Sequence, residues 1–314
     1  MKKTVYNTFR LLRPRQWIKN FAVFGAITFA GELFNLVILQ RVFFSFLVFC
    51  GLSSAIYVIN DIFDIKKDRM HPFKKFRPLA HNDISVPAAI VIAIGFIAIS
   101  LWGGLLVTPA FFILALIYLL LQLSYSLFLK QIAVIDILAI AAGYILRVYA
   151  GEFASGLHIS VWLLLTTISI SLFLAVGKRR SELTLISQYS EAQIAATRKS
   201  LSHYSERLLD VYASIFATST FILYSLFTFL ENPTGFKISF GVLMPEFLSE
   251  FFQRKWLMIT IIPVVYGLMR YLQDIYEKHE GESPEKVLLS DTPLLATVVI
   301  WMILVIGILY LVGA

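Results

Sequence analysis

Four side chains with oxygen donors fall within nine residues of one short segment, which reads NDIFDIKKD. They are Asn60, Asp61, Asp64 and Asp68, and on a helix their spacing of three and four residues projects them from one broad face. Like charges on successive turns repel one another, more strongly in a low-dielectric surround, so we expect a cation there. Hard oxygen ligands without histidine favour Mg²⁺ over zinc, and Mg²⁺ usually binds one or two carboxylates together with phosphate oxygens. The segment therefore predicts catalytic carboxylates that hold Mg²⁺ and a phosphate-bearing substrate.

Basic residues follow this cluster directly and could complete a cage for phosphate. Lys74, Lys75 and Arg77 are the candidates, because they come within ten residues of Asp68. The competing interpretation is an acidic helix end that is merely neutralised by its basic neighbours, which are Lys66, Lys67 and Arg69. Simple pairing does not require the three- and four-residue spacing, so the metal interpretation is favoured.

A second basic cluster reads GKRRSEL at residues 177–183. Lys178, Arg179 and Arg180 are predicted to bind phosphate, because arginine can hold two phosphate oxygens at once with its planar fork. The alternative is a positively charged flank that only fixes the orientation of a membrane span.

Further candidates for substrate binding lie near predicted span ends. The amino-terminal segment LLRPRQWIKN is basic and amide-bearing, with Arg13, Arg15 and Lys19 suited to phosphate, although a membrane-surface anchor is an alternative. Lys130 follows the fourth predicted span and could reach a phosphate or extend to the membrane surface.

Two charged residues fall inside the fifth predicted span. Asp136 is predicted to be a substrate-binding residue, because an acid within a membrane span is costly and is retained for a function. Arg147 is placed near the far interface, and we expect a structural role or an acidic neighbour for it.

These residues must be positioned by membrane helices. The 314-residue chain is 58% hydrophobic and 15% charged, with a mean hydropathy of +0.78, which is typical of a polytopic membrane protein. We predict an all-α protein, a single domain over residues 1–314, with nine transmembrane helices. Their predicted positions are 20–38, 41–62, 86–106, 108–128, 131–152, 159–178, 210–231, 256–274 and 293–313.

The distribution of lysine and arginine predicts the orientation. Most of the 27 basic residues fall in the amino-terminal arm and in the loops after the even-numbered spans, which places these segments in the cytoplasm. The predicted location is the inner (plasma) membrane, with the active site facing the cytoplasm. The net charge of +7 follows from this topology and does not indicate nucleic-acid binding. Cys50 is the single cysteine, so an intrachain disulfide is impossible.

Several motifs together resemble those of the UbiA-type intramembrane prenyltransferases. NDIFDIKKD followed by HPFKKFRPLA is similar to the first signature of that family. LLRPRQWIKN, GKRRSEL, and the stretches at 125–151 and 265–272 resemble its decaprenyl-phosphate phosphoribosyltransferase branch. The resemblance implies nine transmembrane helices around a cytoplasm-facing cavity, with Mg²⁺ held by Asp-rich motifs.

The resemblance has one informative departure. Family members that use isoprenyl diphosphates have a second Asp-rich motif after the sixth span, whereas residues 178–182 here contain three bases and one acid. This departure suits phosphoribosyl pyrophosphate as donor and a polyprenyl phosphate as acceptor, for synthesis of a cell-envelope arabinose or ribose donor. Two alternatives stay open: a conventional prenyltransferase with an aromatic or haem-like acceptor, and a non-enzymatic lipid transporter. A homo-oligomer is compatible with the sequence.

Overall fold

The structure is a computed structural model, and it describes residues 2–70, 74–186, 199–231, 255–277 and 284–312. Within these ranges the regular structure is helical throughout, which confirms the predicted all-α class. The α-helices are α1 (Lys2–Leu12), α2 (Gly25–Phe29), α3 (Leu36–Met70), α4 (Val86–Val107), α5 (Pro109–Leu127), α6 (Ile135–Ser155), α7 (Val161–Ile186), α8 (Glu206–Leu230), α9 (Ile261–Glu277), α10 (Pro284–Ser290) and α11 (Thr292–Gly307). Shorter 3₁₀ turns cover Lys74–Phe76, Leu129–Gln131, Lys199–His203 and Trp256–Thr260.

Eight helices are long and apolar enough to cross a membrane, and they match the last eight predicted spans. They are α3 to α9 and α11, where α9 extends back through the turn at Trp256–Thr260. The outer faces are apolar: on α4, Val91, Ile99 and Trp102 are between 64% and 71% exposed. Exposed apolar surface on this scale suits hydrocarbon and not water, so the polytopic membrane architecture is confirmed.

The count of nine spanning α-helices is not confirmed, because the first predicted span is built differently. Residues 20–38 contain the end of a long 3₁₀ helix (Pro14–Phe24), the short α2 and a turn at Gly31, whose φ is 77°. At about 2.0 Å and about 1.5 Å per residue, the 3₁₀ helix and α2 together extend about 30 Å, the thickness of the hydrocarbon layer. The Tyr310 hydroxyl, near the end of α11, contacts the carbonyl oxygen of Thr28 at 3.0 Å.

The 3₁₀ helix packs closely on α3 and α6. A Cβ added at Gly151 of α6 would lie 1.9 Å from the carbonyl oxygen of Val23, so only glycine permits this approach. On the α3 side, Trp17 Nε1 donates to Ser54 Oγ at 2.9 Å, and Asn20 Nδ2 approaches Cys50 Sγ at 3.3 Å. Trp17 and Asn20 lie on one face of the 3₁₀ helix because they are three residues apart, and Cys50 and Ser54 lie on one face of α3 because they are four apart. These two faces pack against each other.

Side-chain caps fix the starts of the spanning helices. Ser85, Thr108, Ser205 and Asp291 each accept a hydrogen bond from the backbone N–H three residues later. Consecutive spans alternate in direction. One end of the bundle therefore contains the carboxyl ends of α3, α5, α7 and α9, together with the helix starts that follow each of them, those of α4, α6, α8 and α10. The predicted site residues are concentrated at this end.

Candidate active site

The NDIFDIKKD segment is the last part of α3, and its four candidate ligands divide between two directions. Asn60 and Asp64 are about 40° apart around the helix axis, and Asp61 and Asp68 about 20° apart, at about 100° per residue. Asn60 and Asp64 contact Lys130, whereas Asp61 and Asp68 contact Arg77. The sequence prediction of a single broad face is therefore refined into two adjacent groups.

Asn60 and Asp64 converge on one cation, the Lys130 ammonium. Lys130 Nζ lies 3.2 Å from each carboxylate oxygen of Asp64 and 3.5 Å from Asn60 Oδ1. The lysine is in the 3₁₀ turn Leu129–Gln131 after α5 and is only 6% exposed. A buried ammonium held by amide and carboxylate oxygens shows that this group of oxygens suits a cation.

Asp61 and Asp68 are buried and hold arginines. Arg77 Nη1 donates to Asp61 Oδ1 at 3.1 Å and to Asp68 Oδ2 at 2.7 Å. Arg13 Nη2 also contacts Asp61 Oδ1, so two guanidinium groups share one carboxylate. Beside them is a cavity of about 170 Å³ lined by Arg10, Arg13, Asp61, Phe76, Arg77 and Pro78.

The loop that carries Lys130 is supported by a buried polar network. Ser200 Oγ lies 3.0 Å from the carbonyl oxygen of Lys130 and 3.1 Å from Asp136 Oδ2, so its single proton is shared between these two acceptors. The Tyr204 hydroxyl donates to Asp136 Oδ1 at 2.7 Å and accepts from the backbone N–H of Val134 at 2.6 Å. Val134 has φ 66°, which is strained for a β-branched residue and persists only because its surroundings hold it.

Asp136 and Arg179 form the centre of this network. Arg179 Nε lies 2.7 Å from Asp136 Oδ2, and neither side chain is exposed. Arg179 also contacts Glu182, and its Nη2 donates to the Tyr125 hydroxyl at 2.7 Å. The fifth span was predicted to begin at residue 131, whereas α6 begins at Ile135, so Asp136 is in the first turn of this helix.

Asp136 and Arg179, which the sequence predicted to bind substrate, are paired with each other in this arrangement. For Arg179 to grip a phosphate it would have to break a fully buried ion pair, which is costly. The two residues instead support the Lys130 loop from α6 and α7.

The 3₁₀ helix points one stripe of side chains at the site. Gln16 and Lys19 are three residues apart, which superimposes them along the 3₁₀ helix, and Arg13 is the N-cap residue three positions before Gln16. Gln16 Nε2 donates to Glu285 Oε1 at 2.5 Å, and Lys19 Nζ lies 2.9 Å from Glu285 Oε2. Glu285 is at the start of α10, and although burial opposes its ionisation, the nearby Lys19 ammonium lowers its pKa to about 2.

The other predicted basic residues are distributed around this end of the bundle. Arg180 pairs with α8, with Nε 2.8 Å from Asp210 Oδ1 and Nη2 3.1 Å from Glu206 Oε2. Lys178 is half-buried and contributes to the lowered pKa of Glu285. Arg15 and Lys75 are exposed, and Lys74 is half-buried in the turn Lys74–Phe76.

Arg147 contacts uncharged groups of three elements, which suits the first of its two expected roles, a structural one, and not an acidic neighbour. Its guanidinium donates to Asn20 Oδ1 at 2.7 Å, to the carbonyl oxygen of Gly143 at 2.6 Å and to the Tyr118 hydroxyl at 2.6 Å. Arg147 is 5% exposed, and it joins the 3₁₀ helix, α5 and α6.

The donor set fits Mg²⁺ at Asn60 and Asp64. Within the described ranges, no three His, Cys, Asp or Glu side chains converge on one point. Mg²⁺ does not need such a cluster, because it binds one or two protein oxygens and completes its shell with water and substrate phosphates. Asn60 and Asp64 supply that number of hard oxygens, and the Lys130 ammonium between them marks where positive charge is accepted.

Sequence reasoning missed three residues of the site. Glu285 orients Gln16 and Lys19, Arg10 lines the arginine cavity, and Tyr57 donates to Gln16 Oε1 at 3.0 Å. Each is remote in sequence from its partner, and a single acid in a loop or a tyrosine in a span carries no spacing signal. Arg10 is one of the basic residues in the amino-terminal arm, and the sequence analysis assigned these residues to fixing the orientation of the chain in the membrane.

Comparison with known proteins agrees with this architecture. The model of the UbiA prenyltransferase family matches residues 20–289. The chain is 33% identical over 306 residues to the decaprenyl-phosphate phosphoribosyltransferase of Corynebacterium glutamicum, covering 96% of this chain and 86% of the relative. It is 32% identical over 296 residues to the protein of the same name from Mycobacterium tuberculosis, covering 93% and 90%.

A solved structure shows the same fold. The structure of a UbiA homolog from Archaeoglobus fulgidus bound to GPP and Mg²⁺ aligns with a TM-score of 0.67 at 19% identity, covering 96% of this chain and 100% of that chain. A matched family model over most of the chain, relatives at one-third identity and a shared helical bundle lead to one conclusion: the chain belongs to the UbiA prenyltransferase family.

Proposed function

We propose that this protein is a Mg²⁺-dependent transferase that moves 5-phosphoribosyl from phosphoribosyl pyrophosphate to a polyprenyl phosphate and releases diphosphate. The observation that carries the proposal is the division of the motif on α3. Asn60 and Asp64 form one focus for a cation, and Arg13 and Arg77 form a separate group for anions. The relatives named as decaprenyl-phosphate phosphoribosyltransferases support the same activity.

In this proposal, Asn60 and Asp64 would hold Mg²⁺ together with the diphosphate of the donor. Bound Mg²⁺ would neutralise negative charge that develops on the diphosphate as it leaves. Lys130 is already at this focus, and its ammonium would move from Asp64 to the leaving oxygens. The buried network around Asp136 and Arg179 keeps the Lys130 loop in place.

The reaction is a substitution at C1 of ribose. The bond between C1 and the diphosphate oxygen breaks, and an oxygen of the lipid phosphate forms the new bond to C1. The sugar passes through an oxocarbenium-like state, and the electron pair of the broken bond leaves with diphosphate. The acceptor phosphate is largely ionised at neutral pH, so no general base is required.

The side of the membrane on which the reaction takes place follows from the predicted topology. We place the site at the cytoplasmic face of the plasma membrane. There the water-soluble phosphoribosyl pyrophosphate can enter from the cytoplasm, and the phosphate of the lipid lies at the membrane–water interface. The tail of the acceptor would then remain in hydrocarbon between the helices, while its headgroup meets the basic residues at the end of the bundle. A role in supplying a cell-envelope pentose donor is part of this proposal.

The conventional prenyltransferase reaction is the second candidate, and one assay separates the two. Purified protein with Mg²⁺ is offered phosphoribosyl pyrophosphate plus a polyprenyl phosphate, and separately an isoprenyl diphosphate plus hydroxybenzoate. We expect product only in the first reaction, because the last three turns of α7 carry Lys178, Arg179 and Arg180 where a second carboxylate group would be needed. Product only in the second reaction would reject the proposal, and no product in either would favour the transporter.

A further inference from the structure

The cavity at Arg10, Arg13 and Arg77 is organised for an anion. Three guanidinium groups line it, and the single carboxylate among its lining residues is that of Asp61. Asp61 is 2% exposed and contacts both Arg13 and Arg77, so it holds their side chains towards each other. Two arginines neutralise this carboxylate, and its own charge is therefore a small obstacle to an incoming anion.

Within the described part of the chain, the arginines keep N–H donors for a ligand. Arg77 contacts Asp61 and Asp68 through one nitrogen, Nη1, and Arg10 donates through Nη2 to the carbonyl oxygen of Phe76 at 3.0 Å. A guanidinium has five N–H donors in a rigid fork, which matches the oxygens of a phosphate. The side chains of Arg13 and Arg77 are 22% and 24% exposed, so a ligand can reach them.

The backbone at Arg13 is unusual in a way that fits a functional position. Arg13 has φ 52° and ψ 60°, the left-handed conformation, where α1 ends and the 3₁₀ helix begins. A residue with a side chain adopts this conformation at a cost, and such residues are concentrated at binding and catalytic sites. The turn separates Arg10 on α1 from Arg13, while both line the same cavity.

The cavity is distinct from the cation focus. Asp61 faces it from the Asp61–Asp68 side of α3, whereas Asn60 and Asp64 face Lys130. The proposed substrates carry more than a diphosphate, because the donor has a phosphate at C5 and the acceptor is itself a lipid phosphate. Each of these groups is a phosphate monoester that needs its own cationic site.

We infer that the cavity lined by Arg10, Arg13 and Arg77 binds a phosphate monoester, and that Asp61 and Asp68 position these arginines and do not hold the metal. The identity of the monoester rests on the proposed function, since the donor's 5-phosphate and the acceptor's phosphate share this chemistry. Arg10 is thereby a binding residue, and Asp61 is a positioning residue.

A binding experiment tests the site and distinguishes the two sources. Ribose 5-phosphate and a short polyprenyl phosphate are titrated calorimetrically into the purified wild type, Arg10→Ala and the control Lys67→Ala, which removes an exposed base from the same end of α3. We expect Arg10→Ala to weaken one of the two ligands by roughly tenfold, the effect of one charge-assisted hydrogen bond. Lys67→Ala should leave both affinities unchanged.

The ligand that weakens identifies the source of the monoester. Equal affinities of wild type and Arg10→Ala for both probes, or no binding of either probe to the wild type, would overturn the site. Because this measurement does not involve turnover, a missing transferase activity would reject the proposed function without affecting the result.

The role of Asp61 has a separate readout. In Asp61→Asn we expect a higher KM for the same substrate at an unchanged half-saturating Mg²⁺ concentration. A shifted Mg²⁺ requirement in Asp61→Asn would place this carboxylate on the metal and overturn the positioning role.

Discussion

Arg179 and Asp136 form an ion pair between α7 and α6, with Nε and Oδ2 2.7 Å apart and both side chains without exposed surface. Ser200 connects this pair to the backbone of Lys130. A pair that the sequence suggested for substrate binding is thus part of the support for a residue at the cation focus.

Removing one partner of this pair should destabilise the protein strongly. We expect Arg179→Met to lower the free energy of unfolding by about 3–5 kcal/mol, because Asp136 would remain buried without its cation. The double variant Arg179→Met with Asp136→Leu should recover most of that loss, since a buried ion pair can be replaced by apolar side chains. Unfolding in detergent, followed by circular dichroism, measures both.

Arg180→Ala provides the comparison for this prediction. Its partners Glu206 and Asp210 are 52% and 39% exposed, so its loss should cost about 1 kcal/mol or less. If Arg179→Met were no less stable than Arg180→Ala, the supporting role of the buried pair would be wrong.

Asp64→Asn should abolish turnover and leave the protein folded, because it removes charge with little change in volume. We expect at least a roughly hundredfold lower kcat and a higher half-saturating Mg²⁺ concentration. Glu277→Gln, an exposed acid at the end of α9, is the matched control. Normal activity of Asp64→Asn without added metal would exclude this carboxylate from the chemistry.

Lys130→Met should change metal affinity and rate in opposite directions. The Lys130 ammonium shares Asp64 and Asn60 with the proposed Mg²⁺, so its removal should lower the half-saturating Mg²⁺ concentration. The kcat should fall by roughly ten- to a hundredfold, because a charge-assisted contact to the leaving diphosphate is lost. A Mg²⁺ titration of initial rates measures both, and a parallel rise in the metal requirement would contradict the shared focus.

Glu285 should contribute stability that depends on pH. Its pKa is lowered to about 2 in the folded state from an ordinary value of 4.5. Burial alone would raise this pKa, but the charge and the hydrogen bond of Lys19 outweigh burial. A carboxyl group with a lowered pKa stabilises the fold above about pH 4.5, and this contribution is lost as the pH falls towards 2. Thermal unfolding of wild type and Glu285→Gln should therefore differ most near neutral pH, and the difference should shrink below pH 4.5.

A difference in Tm between wild type and Glu285→Gln that does not change over this acidic range would contradict the ion pair with Lys19. Asp83→Asn is a suitable comparison, because this acid pairs with His81 in the loop between α3 and α4 and has no lysine partner among the described residues.

Cysteine labelling tests the predicted orientation. His81 is in the loop between α3 and α4, His158 is in the loop between α6 and α7, and their side chains are 59% and 95% exposed. We expect a membrane-impermeant maleimide to label His158→Cys in intact cells and His81→Cys only after the membrane is opened. Cys50 is buried and provides an unreactive background. Labelling of both positions in intact cells would reject the cytoplasmic site.

Hydropathy and local spacing determined the helical membrane architecture and the position of the acidic motif. Eight predicted spans match helices of the structure, since a run of about 20 apolar residues has few other ways to satisfy its backbone in a membrane. The same reasoning placed Asp61, Asp64 and Asp68 on one helix. It could not foresee the 3₁₀ helix at Pro14–Phe24, because such long 3₁₀ segments are uncommon and depend on packing against α3 and α6.

Only the tertiary structure decided which acidic and basic side chains pair with one another. Lys130 meets Asp64 across 66 positions, Arg13 meets Asp61 across 48, and Gln16 meets Glu285 across 269. An ionic partner is selected by distance and burial in three dimensions, whereas the sequence shows only that bases and acids are present. For this reason the sequence identified the charged end of the bundle, but the structure separated a cation focus, an arginine cavity and a buried support within it.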